Sequence, residues 1–149
     1  MRRLMTSLVL LFSSASCADE MSHDSTDIGR TIQEVREEVD RHHSAVFALQ
    51  NRTEVLAEMQ RHDDNMLSMM NRMHESIGAM SHCSAGAMGS MRQMMEDMET
   101  EMDRHSSGIA EADGLEDVRS ACAVHVEAMT GSLNAMQHAA ARSSCMFGR

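Results

Sequence analysis

Four histidines recur in register in two parts of the chain, and the imidazole nitrogens of such a set can bind a transition metal ion. Residues 38–73 align without a gap on residues 101–136, and each segment holds two of the four. The pairs that coincide are His42 with His105 and His62 with His125. Heptad periodicity by itself aligns apolar residues, but it does not place histidine on histidine. The alignment therefore predicts two copies of one helical hairpin, with the four histidines at similar depth.

Sulfur-containing residues accompany these histidines at helical spacing. Met66 and Met129 each follow the second histidine of a copy by one helical turn, and Cys122 lies on the same apolar stripe as His125. Imidazole suits copper, zinc, nickel and iron, whereas thioether and thiolate groups select copper in its reduced state. The expected ligands are therefore the four histidines, with Met66, Met129 and Cys122 as soft auxiliaries and copper as the metal.

Methionine is abundant, with 18 in the chain. The stretches at 66–69 and 88–94 resemble, in spacing, the methionine-rich stretches of bacterial copper-handling proteins. Methionine also fills irregular helical cores without any metal, and most of these residues follow the apolar stripes. For any single methionine, core packing is therefore the simpler interpretation.

Both copies place a glutamate one helical turn before their first histidine, Glu38 before His42 and Glu101 before His105. Such carboxylates can orient imidazole rings by accepting hydrogen bonds from them. Exposed pairing with the arginine that follows in each copy is the alternative.

Two other functions are compatible with the same histidines. Heme b held by two of the histidines, or by a histidine and a methionine, is an alternative, and so is a structural or interaction bundle that binds no metal. A di-iron site would need carboxylates on the apolar stripes, which hold none. The sequence has no nucleophile elbow and no phosphate-binding glycine loop, so an enzyme is not expected.

The composition favours an all-α fold. The chain has no proline, tryptophan or tyrosine, and apolar residues recur at alternating steps of three and four in four segments that include the histidines. We expect an antiparallel four-helix bundle at 26–144, built from two tandem αα-hairpins at about 26–82 and 89–144. Breaks are expected near Asn51, at 84–90 and at 113–116. If the first break were absent, one continuous helix would favour a homodimer.

Turns near residues 51 and 113 would bring the histidines into one layer. The next layer toward the turns would hold Val46, Met59, Ile109 and Cys122. The next layer away from the turns would hold Val39, Met66, Met102 and Met129.

The first residues predict export. Residues 1–16 combine two arginines, an apolar run too short to span a bilayer, and small residues, as in a signal peptide. Ser14-Ala15-Ser16-Cys17 resembles the end of a bacterial lipoprotein leader, which implies a lipidated Cys17 and attachment to the membrane at the periplasmic face of the cell envelope. Ser14 stands where that pattern has an aliphatic residue, and cleavage without lipidation is the alternative. Residues 17–25 are expected to form a tether.

An oxidising compartment permits a disulfide, and Cys83 and Cys145 lie near the ends of the second and fourth predicted helices. We expect these two to be bridged.

The net charge argues against one class of partner. The formal charge of −10 becomes −12 when Arg2 and Arg3 leave with the leader. Such a surface repels phosphate backbones, so nucleic acid binding is not expected.

Overall fold

The structure, a computed structural model, describes residues 23–80 and 83–142, and these form four long helices. Their bounds are α1 His23–Ala48, α2 Arg52–Ala79, α3 Ala85–Glu111 and α4 Leu115–Arg142. Helix α1 packs on α2 and α4, and α3 packs on α4 and α2, while no strand occurs in the described ranges. The predicted all-α four-helix bundle is confirmed. Among the helices described, none has the length and apolar character needed to cross a bilayer.

The apolar stripes of the four helices meet in two clusters. The larger cluster contains Val39, Met66 and Met129, with Met102 packed against it. The smaller cluster lies at the end that carries the first and third turns and contains Val46, Val55, Met59, Ile109, Val118 and Cys122. The histidines lie between these two sets along every helix, so the predicted order of layers is confirmed.

The first turn is present, as the sequence predicted. Helix α1 ends at Ala48, and Asn51 begins α2 with an extended backbone and a side-chain oxygen that accepts the Glu54 amide at 3.0 Å. This cap satisfies one of the amides that a helix start leaves without a partner. A continuous helix over 26–82 is therefore wrong, and the condition for the homodimer does not hold.

Two predicted boundaries differ from the structure. Helix α3 begins at Ala85 and not near 89, because the Ser84 hydroxyl accepts the Ala87 amide and caps the helix there. Gly86 and Gly89, which suggested a loop, lie inside the first turns of α3. Helix α1 begins at His23, inside the stretch predicted as a tether.

Two arginines tie the first and third turns together. The Arg52 guanidinium donates to the Ala110 carbonyl at 3.1 Å and to the Ala112 carbonyl, and Arg119 donates to the Leu49 carbonyl at 3.1 Å. These carbonyls belong to helix ends, where cations and donors are favourable. The two turns are thereby held at one level, which keeps the histidines of both hairpins at a common depth.

The predictions on lipidation and crosslinking involve three of the four cysteines. Cys83 is disulfide-bonded. Its predicted partner Cys145 lies outside the described residues, and so do Cys17 and residues 1–16, the predicted signal peptide. The predictions on lipidation and on the Cys83–Cys145 pair therefore stay predictions.

We predict that Asn51→Ala lowers the free energy of unfolding by about 1 kcal/mol, because the Glu54 amide in the first turn of α2 loses its side-chain acceptor. Thermal unfolding followed by circular dichroism should show a melting temperature lower by roughly 3 to 6 °C. Asn71→Ala, an exposed position inside α2, is the control and should not lower it. Equal melting temperatures for the two variants would contradict this role of the cap.

Candidate metal centre

The four predicted histidines meet in the centre of the bundle. His42, His62 and His125 are fully buried and His105 is 3% exposed. Within each hairpin two rings stack face to face, His42 on His62 with centroids 3.9 Å apart and His105 on His125 with centroids 4.1 Å apart. The two stacks are nearly perpendicular to each other. Four imidazoles thus fill one layer of the core.

Ring nitrogens meet across the diagonals of the bundle. The Nε2 atoms of His42 on α1 and His105 on α3 are 3.3 Å apart. The Nε2 atoms of His62 on α2 and His125 on α4 are 3.4 Å apart. All four Nε2 atoms therefore point to the middle of the bundle, and the Nδ1 atoms point outward.

Carboxylates accept hydrogen bonds from three of the four outward nitrogens. The His42 Nδ1 lies 3.2 Å from Glu58, the His62 Nδ1 lies 3.0 Å from Glu38, and the His125 Nδ1 lies 3.3 Å from Glu101. Each glutamate thus orients the histidine of the other helix in its hairpin. Glu38 and Glu101 therefore orient imidazole rings, as the sequence suggested, but these rings lie on the neighbouring helix and are not the histidines one turn away. Each glutamate also accepts from the arginine that follows it, which was the alternative.

Arginines at the edge of the layer compensate these buried carboxylates. Arg41 donates to both Glu38 and Glu58, with Nε at 2.7 Å and Nη1 at 2.8 Å, and Arg61 also pairs with Glu58. Burial alone would raise the pKa of the Glu38 and Glu58 carboxyls, but hydrogen bonds from Arg41 and the histidines outweigh it and hold both pKa values below the ordinary value. Both glutamates are therefore ionised at neutral pH, and each requires a proton on the Nδ1 that it faces.

The fourth outward nitrogen has no such acceptor. The His105 Nδ1 is buried and has no hydrogen-bond partner among the described residues. In the aligned first copy the corresponding acceptor is Glu58, and the second copy has Ala121 at that position. The layer is thus short of one carboxylate.

The hydrogen-bond pattern leaves the Nε2 atoms of His62 and His125 facing each other with no proton between them. His62 and His125 each carry their proton on Nδ1, because each faces a carboxylate that only accepts. Their Nε2 atoms are then both unprotonated, although they face each other at 3.4 Å. Two lone pairs in this position repel in a buried site, and a cation between or beside them removes the repulsion.

The Cys122 thiol lies close to two of the imidazoles, on one side of the layer. One ligand atom each of His42, His105 and Cys122 lies within 4.8 Å of the other two, and all three residues are buried. Cys122 is a free thiol, and burial raises its pKa to about 11. This buried cluster could hold a metal ion. Met66 and Met129, the other predicted auxiliaries, are fully buried in the larger apolar cluster on the opposite side.

Burial also controls the charge of the imidazoles. Desolvation lowers the pKa of His42 to about 4 and that of His105 to about 3, with neighbouring histidines adding to the effect. The pKa values of His62 and His125 are lowered for the same first reason. The rings are therefore neutral at physiological pH, which is the form that binds metals.

Glu58, the acceptor for the His42 Nδ1, was not among the residues predicted from the sequence. It precedes His62 by one helical turn, just as Glu38 precedes His42 and Glu101 precedes His105. This spacing could have identified Glu58. It also shows that Ala121, one turn before His125, is the exception, because the other three positions hold glutamate.

Comparisons with protein-family models, with curated proteins and with solved structures found no match to this chain.

We predict that the metal-free protein loses stability as pH falls below about 6.5. The unfolded histidines take up protons near pH 6.5, whereas the folded rings resist protonation down to pH 4 or lower, so protons bind preferentially to the unfolded chain. Each such ring lowers the free energy of unfolding by up to about 1.4 kcal/mol per pH unit. The loss of the ionised, arginine-paired Glu38 and Glu58 adds to it at still lower pH.

Chemical denaturation at several pH values measures this slope. His62→Leu should make the slope shallower, whereas His74→Ala, at an exposed position, should leave it unchanged. A free energy of unfolding that stays constant between pH 7.5 and pH 5 would show that the rings are not buried as described.

Proposed function

We propose that this protein binds a soft or borderline transition metal ion, Cu(I) first among them, inside its four-helix bundle. The observation that carries the proposal is the buried group of His42, His105 and Cys122, with ligand atoms within 4.8 Å of one another. Ions of this class take imidazole nitrogen and cysteine sulfur as ligands.

The spacing of the nitrogens supports this proposal. A metal–nitrogen bond is about 2.0 to 2.1 Å long, so two nitrogens on a tetrahedral ion are separated by roughly 3.3 Å. The His42–His105 separation is 3.3 Å and the His62–His125 separation is 3.4 Å. Either pair can therefore accept an ion with little movement of the rings. The carboxylates on Nδ1 direct the Nε2 lone pairs inward, as in metal sites whose ligands are oriented by acceptors.

Sulfur favours copper over zinc in this proposal. Cys122 belongs to the group, and the thioether residue Met59 is buried in the same apolar cluster beside the layer. Zn(II) also takes thiolate and imidazole ligands, but a thioether beside them makes the set of ligands softer, which favours Cu(I). When the thiol binds as a thiolate, its proton passes to solvent.

Close packing of the rings favours an ion over heme b. Stacked rings at 3.9 Å and nitrogens at 3.3 Å leave no gap for a macrocycle, so heme would have to separate the helices. A bundle that binds nothing is the other alternative, and it leaves the facing nitrogens of His62 and His125 without a cation.

We further propose that the protein sequesters or transfers metal in the bacterial cell envelope and is anchored there through lipid on Cys17. Full burial of the ligands suits retention, because release requires the helices to open locally. Metabolic labelling with a fatty acid tests the anchor. Label that is present in the native chain and absent from Cys17→Ala supports it, and an unlabelled native chain contradicts it.

We predict that the purified chain binds Cu(I) under ascorbate in competition with a chromogenic chelator, and that loading raises its melting temperature. A site filled at one hundred times its dissociation constant would add about 2.7 kcal/mol of stability. His105→Ala and Cys122→Ala should weaken binding, and Cys122→Ala should also reduce the preference for Cu(I) over Zn(II). His74→Ala is the surface control.

Three results would contradict the proposal. The first is a melting temperature that no transition metal changes, which would favour the alternative of a bundle that binds no metal. The second is a loss of copper binding in His74→Ala that equals the loss in His105→Ala. The third is a Soret band that develops with added hemin in the native chain and not in His105→Ala, which would favour heme.

We predict a separate effect of the carboxylates. Glu58→Gln should weaken metal binding by roughly 10 to 100-fold, because the neutral amide no longer fixes the proton on the His42 Nδ1 as firmly. Glu99→Gln, at an exposed position on α3, is the matched control and should bind as the native chain does. Equal affinities in the two variants would show that Glu58 has no part in orienting the ligand.

A further inference from the structure

The second hairpin has a cavity where the first hairpin has side chains. Its volume is about 350 Å³, and residues of α3 and α4 line it, among them His105, Gly108, Ala121 and Val124. This volume lies within the range of pockets that hold small molecules. The cavity reaches the ring whose Nδ1 has no partner among the described residues.

The aligned residues explain how the cavity arises. Three larger residues of the first copy correspond to smaller ones that line the cavity. The pairs are Ala45 with Gly108, Glu58 with Ala121, and Arg61 with Val124. Between α1 and α2 the space is filled by the Glu58 side chain and its arginine partners. The cavity therefore has, at its inner end, the position that a carboxylate occupies in the other hairpin.

Two hydrogen-bond donors remain around that position. The His105 Nδ1 is the first: it is buried, so a ligand reaches it only when the cavity wall shifts slightly, and its counterpart in the first copy donates to Glu58 at 3.2 Å. Arg104 is the second, because it binds Glu101 through Nε and Nη2, whereas its counterpart Arg41 also reaches Glu58 through Nη1 at 2.8 Å.

From these contacts we infer that the cavity between α3 and α4 binds a small organic monocarboxylate. Its carboxylate takes the place of the missing glutamate, accepting from the His105 Nδ1 and the Arg104 guanidinium. Charge-assisted bonds of this kind are the stronger ones. Gly108, Ala121 and Val124 provide apolar walls for a short aliphatic tail, and the Ser120 hydroxyl lies among them.

Two acidic side chains restrict the ligand. Glu101 and Asp117 also line the cavity. A second negative charge on the ligand would meet them, so that dicarboxylates are disfavoured relative to monocarboxylates of similar size.

Metal binding strengthens this second site, a consequence that rests on the proposed function. An ion on the His105 Nε2 forces the ring proton onto Nδ1, which then must donate. A carboxylate that accepts it favours the same tautomer, so each ligand promotes binding of the other by the same factor. In the metal-free chain the proton can also lie on Nε2 and point to His42. Carboxylate binding is therefore weaker there, though present.

The full chain, labelled with ¹⁵N, is titrated with sodium acetate and sodium butyrate at pH 7.5 and constant ionic strength. The His105 imidazole resonances should move in a saturable way with butyrate, and less with malonate. The Zn(II)-loaded chain should bind butyrate roughly fivefold tighter or more. Zn(II) is used because it undergoes no redox change.

Two substitutions at Ala121 distinguish filling of the cavity from restoration of the hydrogen-bond acceptor for His105. Ala121→Glu should abolish the butyrate response and raise the melting temperature, because it restores the missing acceptor. Ala121→Met should abolish the response without that rise. Glu58→Ala should add a second saturable response, at His42. Because Glu58→Ala can also fail to fold, the two substitutions at Ala121 are the decisive ones.

Two outcomes would overturn the inference: no saturable change at His105 in the native chain, with or without metal, or a response that persists in Ala121→Glu. If neither Cu(I) nor Zn(II) binds while butyrate still moves His105 in the metal-free chain, the proposed function fails and the carboxylate site stands. If Zn(II) binds and butyrate causes no saturable change at His105, the carboxylate site fails and the proposed function stands.

Discussion

Burying four imidazoles in one layer creates a demand for hydrogen-bond partners that governs the rest of this structure. Each neutral ring has one donor and one acceptor, and a buried group without a partner costs about 1 to 3 kcal/mol. Glutamates satisfy three outward nitrogens, and the arginines beside them offset the cost of burying carboxylates. The bundle thereby extends a polar network from its surface to its centre, between two apolar clusters.

The crossed pattern of this network links the helices of each hairpin. Glu38 on α1 accepts a hydrogen bond from His62 on α2, and Glu58 on α2 accepts one from His42 on α1. Sliding one helix past the other by a turn would leave both carboxylates and both rings without partners. The layer therefore fixes the register of the hairpin more strictly than interchangeable methionines can. In the second hairpin only the Glu101–His125 contact is formed, so the same restraint is weaker there.

The sequence was sufficient for the helices, the first turn and the histidine layer, because apolar periodicity, the Asn51 cap and the position of each histidine on its stripe all depend on local spacing. It was not sufficient for the partners of the rings. Glu38 lies one turn before His42 on the same helix, but stacking of His42 on His62 turns the outward nitrogens to the neighbouring helix. Which helix a side chain reaches depends on how the two helices of the hairpin are rotated and packed against each other. The spacing of residues along the sequence does not determine this rotation. Likewise, Gly86 and Gly89 predicted a loop, and a single serine cap placed them in a helix.

A core of this kind is not the most stable solution for a four-helix bundle, since well-packed apolar side chains in place of buried charged pairs are often neutral or stabilising. The polar layer fixes the orientation of the rings. Because the Nδ1 atoms of His62 and His125 donate to Glu38 and Glu101, the Nε2 lone pairs of these two rings face inward, toward each other. The folded chain without a cation therefore retains a repulsion at its centre that helix packing does not remove. A positive ion would relieve that repulsion in the folded state and would find no comparable arrangement in the unfolded chain, so its binding energy would add to the stability of the fold. The features that make the layer costly as packing are thus the same ones that would make it selective as a binding site.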